Sequence, residues 1–409
     1  MTAVVGILNK QGIAIAADSA VTVSNMQQRK VYNSANKLFT ISKYHPVGVA
    51  IFNNAQFMGI PWEILIKEYR KQLGKMSFDT LQLYVENFLN WLKNQYYINF
   101  SSNNEYLYYD FLSFVQAVLN DTETSELDEI IQYLQDYLEK EIPHHQIIDS
   151  LENIDVKKLS ATVKTLLNEI NKVAFPNLKQ ENEKLNQLLV DSYTQYLLHD
   201  QFLQFSGLIF VGFGEQEIFP NLIPVNISIL VEGEIRYHIV EHSIGMIDQA
   251  NDACIKPFAQ TDVIDTILQG ISPELNHLSA NVFHSFLHQF LDELKSKGNV
   301  TEQVKDLLDT LDIRHFVKKY QEAFGNIIQQ KYVYPLLNAV SQLSKEDLAE
   351  MAESLVYLTY LKRRFTMAEE SVGGPVDIAV ITKGDGFIWI KRKHYFDPRL
   401  NYSFFQKYL

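Results

Sequence analysis

The sequence predicts an α+β protein, and three observations carry that prediction. β-rich runs and helical stretches occupy separate blocks, in the order strands, helices, strands, helices, strands. The hydrophobic fraction, 46% of 409 residues, is ample for a large core, with only 17 Gly and 11 Pro to interrupt it. No repeat of fixed period runs through the chain, which excludes a solenoid. At this length, one elaborated domain or two domains is expected.

Residues 4–8 are a short β-rich run, Asn9-Lys10-Gln11-Gly12 supplies turn chemistry, and residues 13–17 are a second run, so the chain opens on a β-hairpin. The small side chains of Ala14, Ala16 and Ala17 predict close packing on both faces of the second strand. Residues 37–42 and 47–52 form another strand pair, with His45-Pro46 at the turn. From Pro61 the period changes: Trp62, Leu65, Ile66, Tyr69 and Leu73 recur at helical spacing. Residues 76–204 read as mostly helical, with amphipathic segments at 81–92, 127–138, 159–173 and 185–198. Strand character returns at 207–213, 221–231 and 235–240. Residues 257–370 revert to helical periodicity, for example at 258–268, 282–294 and 343–364, with Thr261-Asp262 read as a cap at the first of these. A final strand pair, 376–382 and 387–391, is joined by the turn Lys383-Gly384-Asp385-Gly386.

Composition narrows the function classes. Lys and Arg total 36 against 49 Asp and Glu, a net charge of −13, which repels phosphate backbones and excludes nucleic acid as a general partner in the absence of a local basic patch. A single cysteine, Cys254, permits neither an internal disulfide nor a cysteine-based zinc site, and fits a reducing compartment. No apolar run approaches the roughly 18–20 residues of a membrane span, so no membrane partner is expected. The opening Met1-Thr2-Ala3-Val4-Val5 lacks the positive segment of a signal peptide, and a cytoplasmic location is the expectation.

Several weaker patterns carry no expected chemistry. His277, His284 and His288 share a helix face, but Ser285 stands where a zinc-protease motif needs glutamate, so neither a metal nor any other cofactor is expected. Gly212-Phe213-Gly214 lacks the third glycine and the following helix of a nucleotide loop. Lys391-Arg392-Lys393-His394 reads as a solvated strand end, and Phe396, Tyr402, Phe404, Phe405 and Tyr408 as an aromatic tail that packs on a neighbouring subunit or on its own core.

The most specific signal is at the start of the chain. Thr2-Ala3-Val4-Val5-Gly6-Ile7 begins a strand, Gly12-Ile13-Ala14-Ile15-Ala16-Ala17-Asp18-Ser19 ends the second, and Asn36-Lys37-Leu38-Phe39-Thr40-Ile41 opens the third. This resembles the N-terminal third of proteasome β-subunits and the bacterial HslV-type peptidase, members of the N-terminal-nucleophile (Ntn) hydrolases. Gly48-Val49-Ala50-Ile51 before a helix, and Ser371-Val372-Gly373-Gly374-Pro375-Val376-Asp377 before the last strand pair, are similar to further family features. The resemblance implies a four-layer αββα Ntn-hydrolase sandwich with two large helical insertions. It places the core at 2–75, 205–245 and 369–409, and the insertions at 76–204 and 246–368.

The implied activity is that of a threonine peptidase. A threonine hydroxyl is a poor nucleophile until a base takes its proton. Removal of Met1 would give Thr2 an α-amine of reference pKa about 7.7–8, suited to that role near neutrality. Lys37 would favour the neutral amine and polarise the hydroxyl, and Asp18 would hold Lys37 by a charge-assisted hydrogen bond. Asn53 stands near the family's oxyanion glycine, where its backbone N–H suffices as donor. Glu369 falls at the family's supporting aspartate, and the supporting serine falls on Val372, with the adjacent Ser371 able to substitute after a one-residue shift. The implied partners are a peptide or unfolded-protein substrate, other copies of the chain, and a regulatory or unfoldase partner. An amidase of non-peptide substrates is a variant of this reading. The alternative is a catalytically inactive subunit acting as an assembly scaffold or partner-binding module.

Overall fold

The structure, a computed structural model, describes residues 2–24, 29–95, 103–122, 126–176, 182–296, 301–366 and 372–403. It is an α+β protein of antiparallel sheets and helices. The strands begin with β1 (Ala3–Asn9), β2 (Gly12–Ala17), β3 (Val21–Ser24), β4 (Arg29–Tyr32), β5 (Leu38–Thr40) and β6 (Val47–Asn53). They continue with β7 (Gln56–Phe57), β8 (Ile60–Pro61), β9 (Ser206–Gly212), β10 (Asn221–Val231) and β11 (Glu234–Ile239). β12 (Gly245–Met246), β13 (Ala253–Ala259), β14 (Asp377–Thr382) and β15 (Gly386–Lys391) follow. The chain divides into two compact units, Met1–Ser34 with Ile247–Ile378, and Ala35–Met246 with Ala379–Leu409.

In the first unit β1 pairs with β2 as the predicted hairpin, Asn9 facing Gly12 across the turn, and the Gln11 N–H donates to Asn9 Oδ1 at 2.9 Å. Every residue of β1 and β2 is buried, as near-continuous apolar runs require when both faces are covered. Helix Lys345–Phe365 packs against both strands through the row Leu348, Ala352, Leu355, Val356 and Thr359. It starts on a capping box in which Ser344 and Asp347 satisfy each other's backbone N–H groups. The buried Asn9 side chain donates to the Val340 and Leu343 carbonyls, both at 3.0 Å, tying the β1–β2 turn to the approach of that helix.

The helical reading of residues 258–268 holds from Asp262 onward and is corrected at its start. β13 runs through Ala259 and pairs antiparallel with the whole of β1, from Ala3 opposite Ala259 to Asn9 opposite Ala253. The helix starts only at Asp262, and Thr261 makes no side-chain cap bond. The unpaired edge of β1 outweighs a local period: seven residue pairs of ladder are gained by extending Ala253–Ala259. Asp262 instead meets Lys362 and Arg363, at 2.8 and 2.7 Å.

The second unit holds a sheet of order β11-β10-β9-β6-β5, with β12 added to β10. β5 and β6 form the expected pair, Leu38 opposite Ala50, around the His45-Pro46 turn. Helices Trp62–Leu73 and Leu81–Lys93 bury Trp62, Leu65, Tyr69, Phe88 and Leu92 in one cluster with the sheet residues Val49, Phe210 and Val225. Helices Asn103–Thr122, Leu127–Asp136, Val156–Ala174 and Glu183–Leu198 share a second cluster centred on Phe111 and Tyr193, whose rings stack at 4.2 Å. The helical character expected for this stretch is thus present, and its core takes in Ile229 and Val231 of β10. Among the described residues no helix is long and apolar enough to cross a membrane.

Candidate active site

Thr2 precedes β1 and Asp18 follows β2, so the hairpin register brings these two ends together. The Asp18 N–H donates to the Ala3 carbonyl at 3.1 Å, continuing the ladder by one rung. The carboxylate of Asp18 then accepts the Ala3 N–H at 3.0 Å through Oδ1. Its Oδ2 accepts two more backbone donors, Ala20 N–H at 3.1 Å and Gly373 N–H at 3.0 Å. A buried carboxylate is tolerable only when its lone pairs are matched, and three N–H donors do that here.

Thr2 itself is buried, and its carbonyl accepts the Gln260 N–H at 3.2 Å beyond the end of β13. The segment that carries Gly373 is fastened to the same corner. The Ser19 N–H donates to the Gly373 carbonyl at 3.0 Å, and the Ser19 hydroxyl donates to the Pro375 carbonyl. Gly374 is required there: its φ is 75°, and a Cβ would lie 2.8 Å from the Asn33 carbonyl oxygen. The first unit therefore places the N–H groups of Ala3, Ala20 and Gly373 around the buried Asp18 carboxylate, next to Thr2 in the chain.

Lys37 and Asn53 belong to the second unit. Lys37 is buried where the chain enters β5, and its carbonyl accepts the Ile51 N–H at 2.8 Å. Asn53 ends β6 with φ 64° and its side chain exposed. That backbone conformation favours glycine and, among other residues, asparagine. Glu369 and Ser371 lie outside the described residues.

Gly373 and Gln260 enter the site geometry without having been singled out for it. Gly373 was visible only as part of a glycine pair before a strand. Gln260 lies in the segment misread as a helix start, and only the β1–β13 pairing places its N–H at Thr2.

The other sequence patterns have separate places in the structure. His277, His284 and His288 are exposed on helix Pro273–Ser296, with the His284 and His288 rings 4.5 Å apart. Among the described residues no group of three metal-ligating side chains gathers. Gly212 and Gly214 serve close backbone approach: a Cβ on Gly212 would lie 2.0 Å from the Pro46 carbonyl oxygen, and one on Gly214 2.2 Å from that of Asp79. Cys254 on β13 is held by burial at a thiol pKa of about 11, well short of a reactive thiolate at neutral pH.

No family model matches the chain, and no curated protein matches it. Among solved structures, it is similar to Anbu (ancestral beta-subunit) from Yersinia bercovieri, at 9% identity and TM-score 0.28 over 99% of this chain and 94% of that one. It is similar also to Anbu from Hyphomicrobium sp. strain MC1, at 9% identity and TM-score 0.30 over 99% and 94%. A Gly-1 mutant of the Hyphomicrobium protein matches at 9% identity and TM-score 0.29, over 100% and 94%. These findings correct the family reading drawn from the motifs. The chain is not assigned to the proteasome β-subunits or HslV-type peptidases: no family model supports that, and the matched structures are Anbu proteins whose TM-scores of 0.28–0.30 are too low to carry an assignment.

Proposed function

We propose that this chain hydrolyses amide bonds, with the Thr2 hydroxyl as nucleophile once Met1 has been removed. The observation that supports this reading is the triply bonded Asp18 carboxylate beside the residue that follows Thr2. It fixes the backbone on the C-terminal side of the nucleophile while the Gln260 N–H holds the Thr2 carbonyl. In this chemistry the α-amine of Thr2 takes the hydroxyl proton as Oγ attacks the substrate carbonyl carbon. The C–N bond breaks, the departing nitrogen receives that proton, and an ester on Thr2 remains. Water, deprotonated by the same amine, then cleaves the ester and regenerates the hydroxyl. Lys37 is proposed as the cation of the reaction, and the Asn53 N–H as the oxyanion donor. The αββα layering is part of the same proposal, as is a peptide or unfolded-protein substrate.

The test uses untagged protein. Intact mass reads the loss of Met1, and a threonine-directed electrophile such as a peptide epoxyketone reads the nucleophile. Wild type is expected to lose Met1, to label at Thr2 and to hydrolyse fluorogenic peptides. Thr2→Ala is expected to do neither of the last two while melting like wild type. Hydrolysis undiminished in Thr2→Ala would end the proposal.

A second reading, a partner-binding subunit, is favoured by one feature. Helix Pro273–Ser296 carries Leu275, Leu278, Val282, Phe286 and Phe290, at helical spacing and between 46 and 67% exposed. A stripe of that kind supports assembly with other copies of the chain, and light scattering on Val282→Glu tests it.

A further inference from the structure

The second unit contains a cavity of about 540 Å³ that the proposed hydrolysis does not use. Its walls are the β5–β6 turn, Arg70 of helix Trp62–Leu73, and the β14–β15 hairpin with the residues after it. Its charge opposes that of the chain. Four cationic side chains, Lys43, Arg70, Lys383 and Arg392, line it against one carboxylate, Asp385, in a protein with 49 acidic and 36 basic residues. The Asp385 carboxylate already accepts the Thr382 hydroxyl at 2.9 Å within the hairpin turn. Beside the cavity, Glu215 lies 2.9 Å from His45 Nδ1.

The walls are fixed in place. Lys383 Nζ donates to the Gly214 and Glu215 carbonyls, at 2.6 and 2.9 Å. The Phe387 ring fills the space above β6 that a side chain on Gly48 would need, an added Cβ there lying 2.4 Å from the ring. The hairpin is thereby held on the sheet, and its aromatic residues have a set position. Phe387 and Trp389 meet edge to face at 5.1 Å, and the Arg392 guanidinium lies 4.6 Å from the centre of the Trp389 ring.

We propose that this cavity binds a nucleoside phosphate. Two chemistries converge in it: clustered cations that match a phosphate group, and a flat indole paired with a guanidinium, a surface on which a nucleobase stacks. The volume lies within the range of small-molecule sites, about 300–1,000 Å³. Residues 391–394, read from sequence as a solvated strand end, contribute Arg392 and His394 to this wall.

The test is isothermal titration calorimetry of the full chain with ADP, adenosine and inorganic phosphate in turn. ADP is expected to bind with a Kd of about 100 μM or tighter. Adenosine and phosphate alone are each expected to bind at least ~10-fold more weakly, since each satisfies half of the site. The double variant Lys43→Gln/Arg392→Gln should lose ADP affinity ~10-fold or more with an unchanged melting temperature. Three results would overturn the proposal: no heat with ADP up to about 1 mM, inorganic phosphate or adenosine binding as well as ADP, or ADP affinity unchanged in the double variant.

Discussion

Ala3 and Asp18 hold each other through two hydrogen bonds: the Ala3 N–H donates to Asp18 Oδ1 at 3.0 Å, and the Asp18 N–H donates to the Ala3 carbonyl at 3.1 Å. The carboxylate also takes the Ala20 and Gly373 N–H groups, so an amide in its place would turn a donor toward donors. Asp18→Asn is predicted to lower stability by about 1–3 kcal/mol, measured as a shift of the denaturant midpoint at constant slope. Hydrolysis is predicted to fall with it. A variant as stable as wild type would show that the three N–H contacts are not what holds this corner.

Asp110 provides a pH prediction. Burial pushes its carboxyl from 3.8 up to about 6, against the lowering effects of the Arg236 guanidinium and the Tyr193 hydroxyl. The folded state therefore binds this proton more tightly than the unfolded chain. Its contribution to stability is complete below the unfolded value of about 3.8 and is lost as pH rises to about 6. Asp110→Asn, which stays neutral, is predicted to gain on wild type between those values and to hold a constant advantage above them. The gain is up to about 3 kcal/mol, from roughly 1.4 kcal/mol per pH unit. Melting temperatures of both proteins from pH 4 to 8 check the sign.

Among the described residues, Arg236 is the largest charged group with no exposure. Its guanidinium donates to the Leu197 and Tyr196 carbonyls at 2.7 Å each and to that of His199 at 3.0 Å, as well as to the Gln201 carbonyl. It also lies 4.2 Å from the Phe202 ring centre and 4.7 Å from that of Tyr196. Arg236→Met would leave carbonyls at the end of helix Glu183–Leu198 without donors, and the buried Asp110 without its counter-charge. The predicted loss is about 3–5 kcal/mol, with Arg236→Lys intermediate because one ammonium cannot reproduce the planar fork. Chemical denaturation ranks the three proteins.

Cys254 is predicted to be slow toward thiol reagents. With its pKa at about 11 instead of the ordinary 9.0, the native thiolate fraction at pH 7.5 falls on the order of 100-fold. A disulfide-exchange assay should show this lag in the native state and its loss in denaturant.

Local pattern made much of the fold legible. The 3–17 hairpin, the β5–β6 pair, the helices at 156–174 and 183–198 and the Lys383-Gly384-Asp385-Gly386 turn each follow from a period or a turn dipeptide within a few residues. Asp18 and Asn53 enter as candidates only through the motif resemblance, Asp18 in Ala16-Ala17-Asp18-Ser19 and Asn53 near the family's oxyanion glycine; local pattern alone singles out neither.

The sequence by itself determined the block order of strands and helices and the nearness of Thr2 and Asp18, since hairpin register is set by the turn between them. The tertiary structure alone decided what surrounds them. β13 runs on through Ala259 because the open edge of β1 was there to pair with, and the helix read from residue 258 starts only at Asp262. The Gly373 N–H reaches a carboxylate 355 positions earlier, and Arg392 meets Lys43 and Arg70 in one cavity. Hydrogen-bond and charge partners so far apart leave no spacing to read, because their distance is set by the packing of whole elements and not by the chain between them.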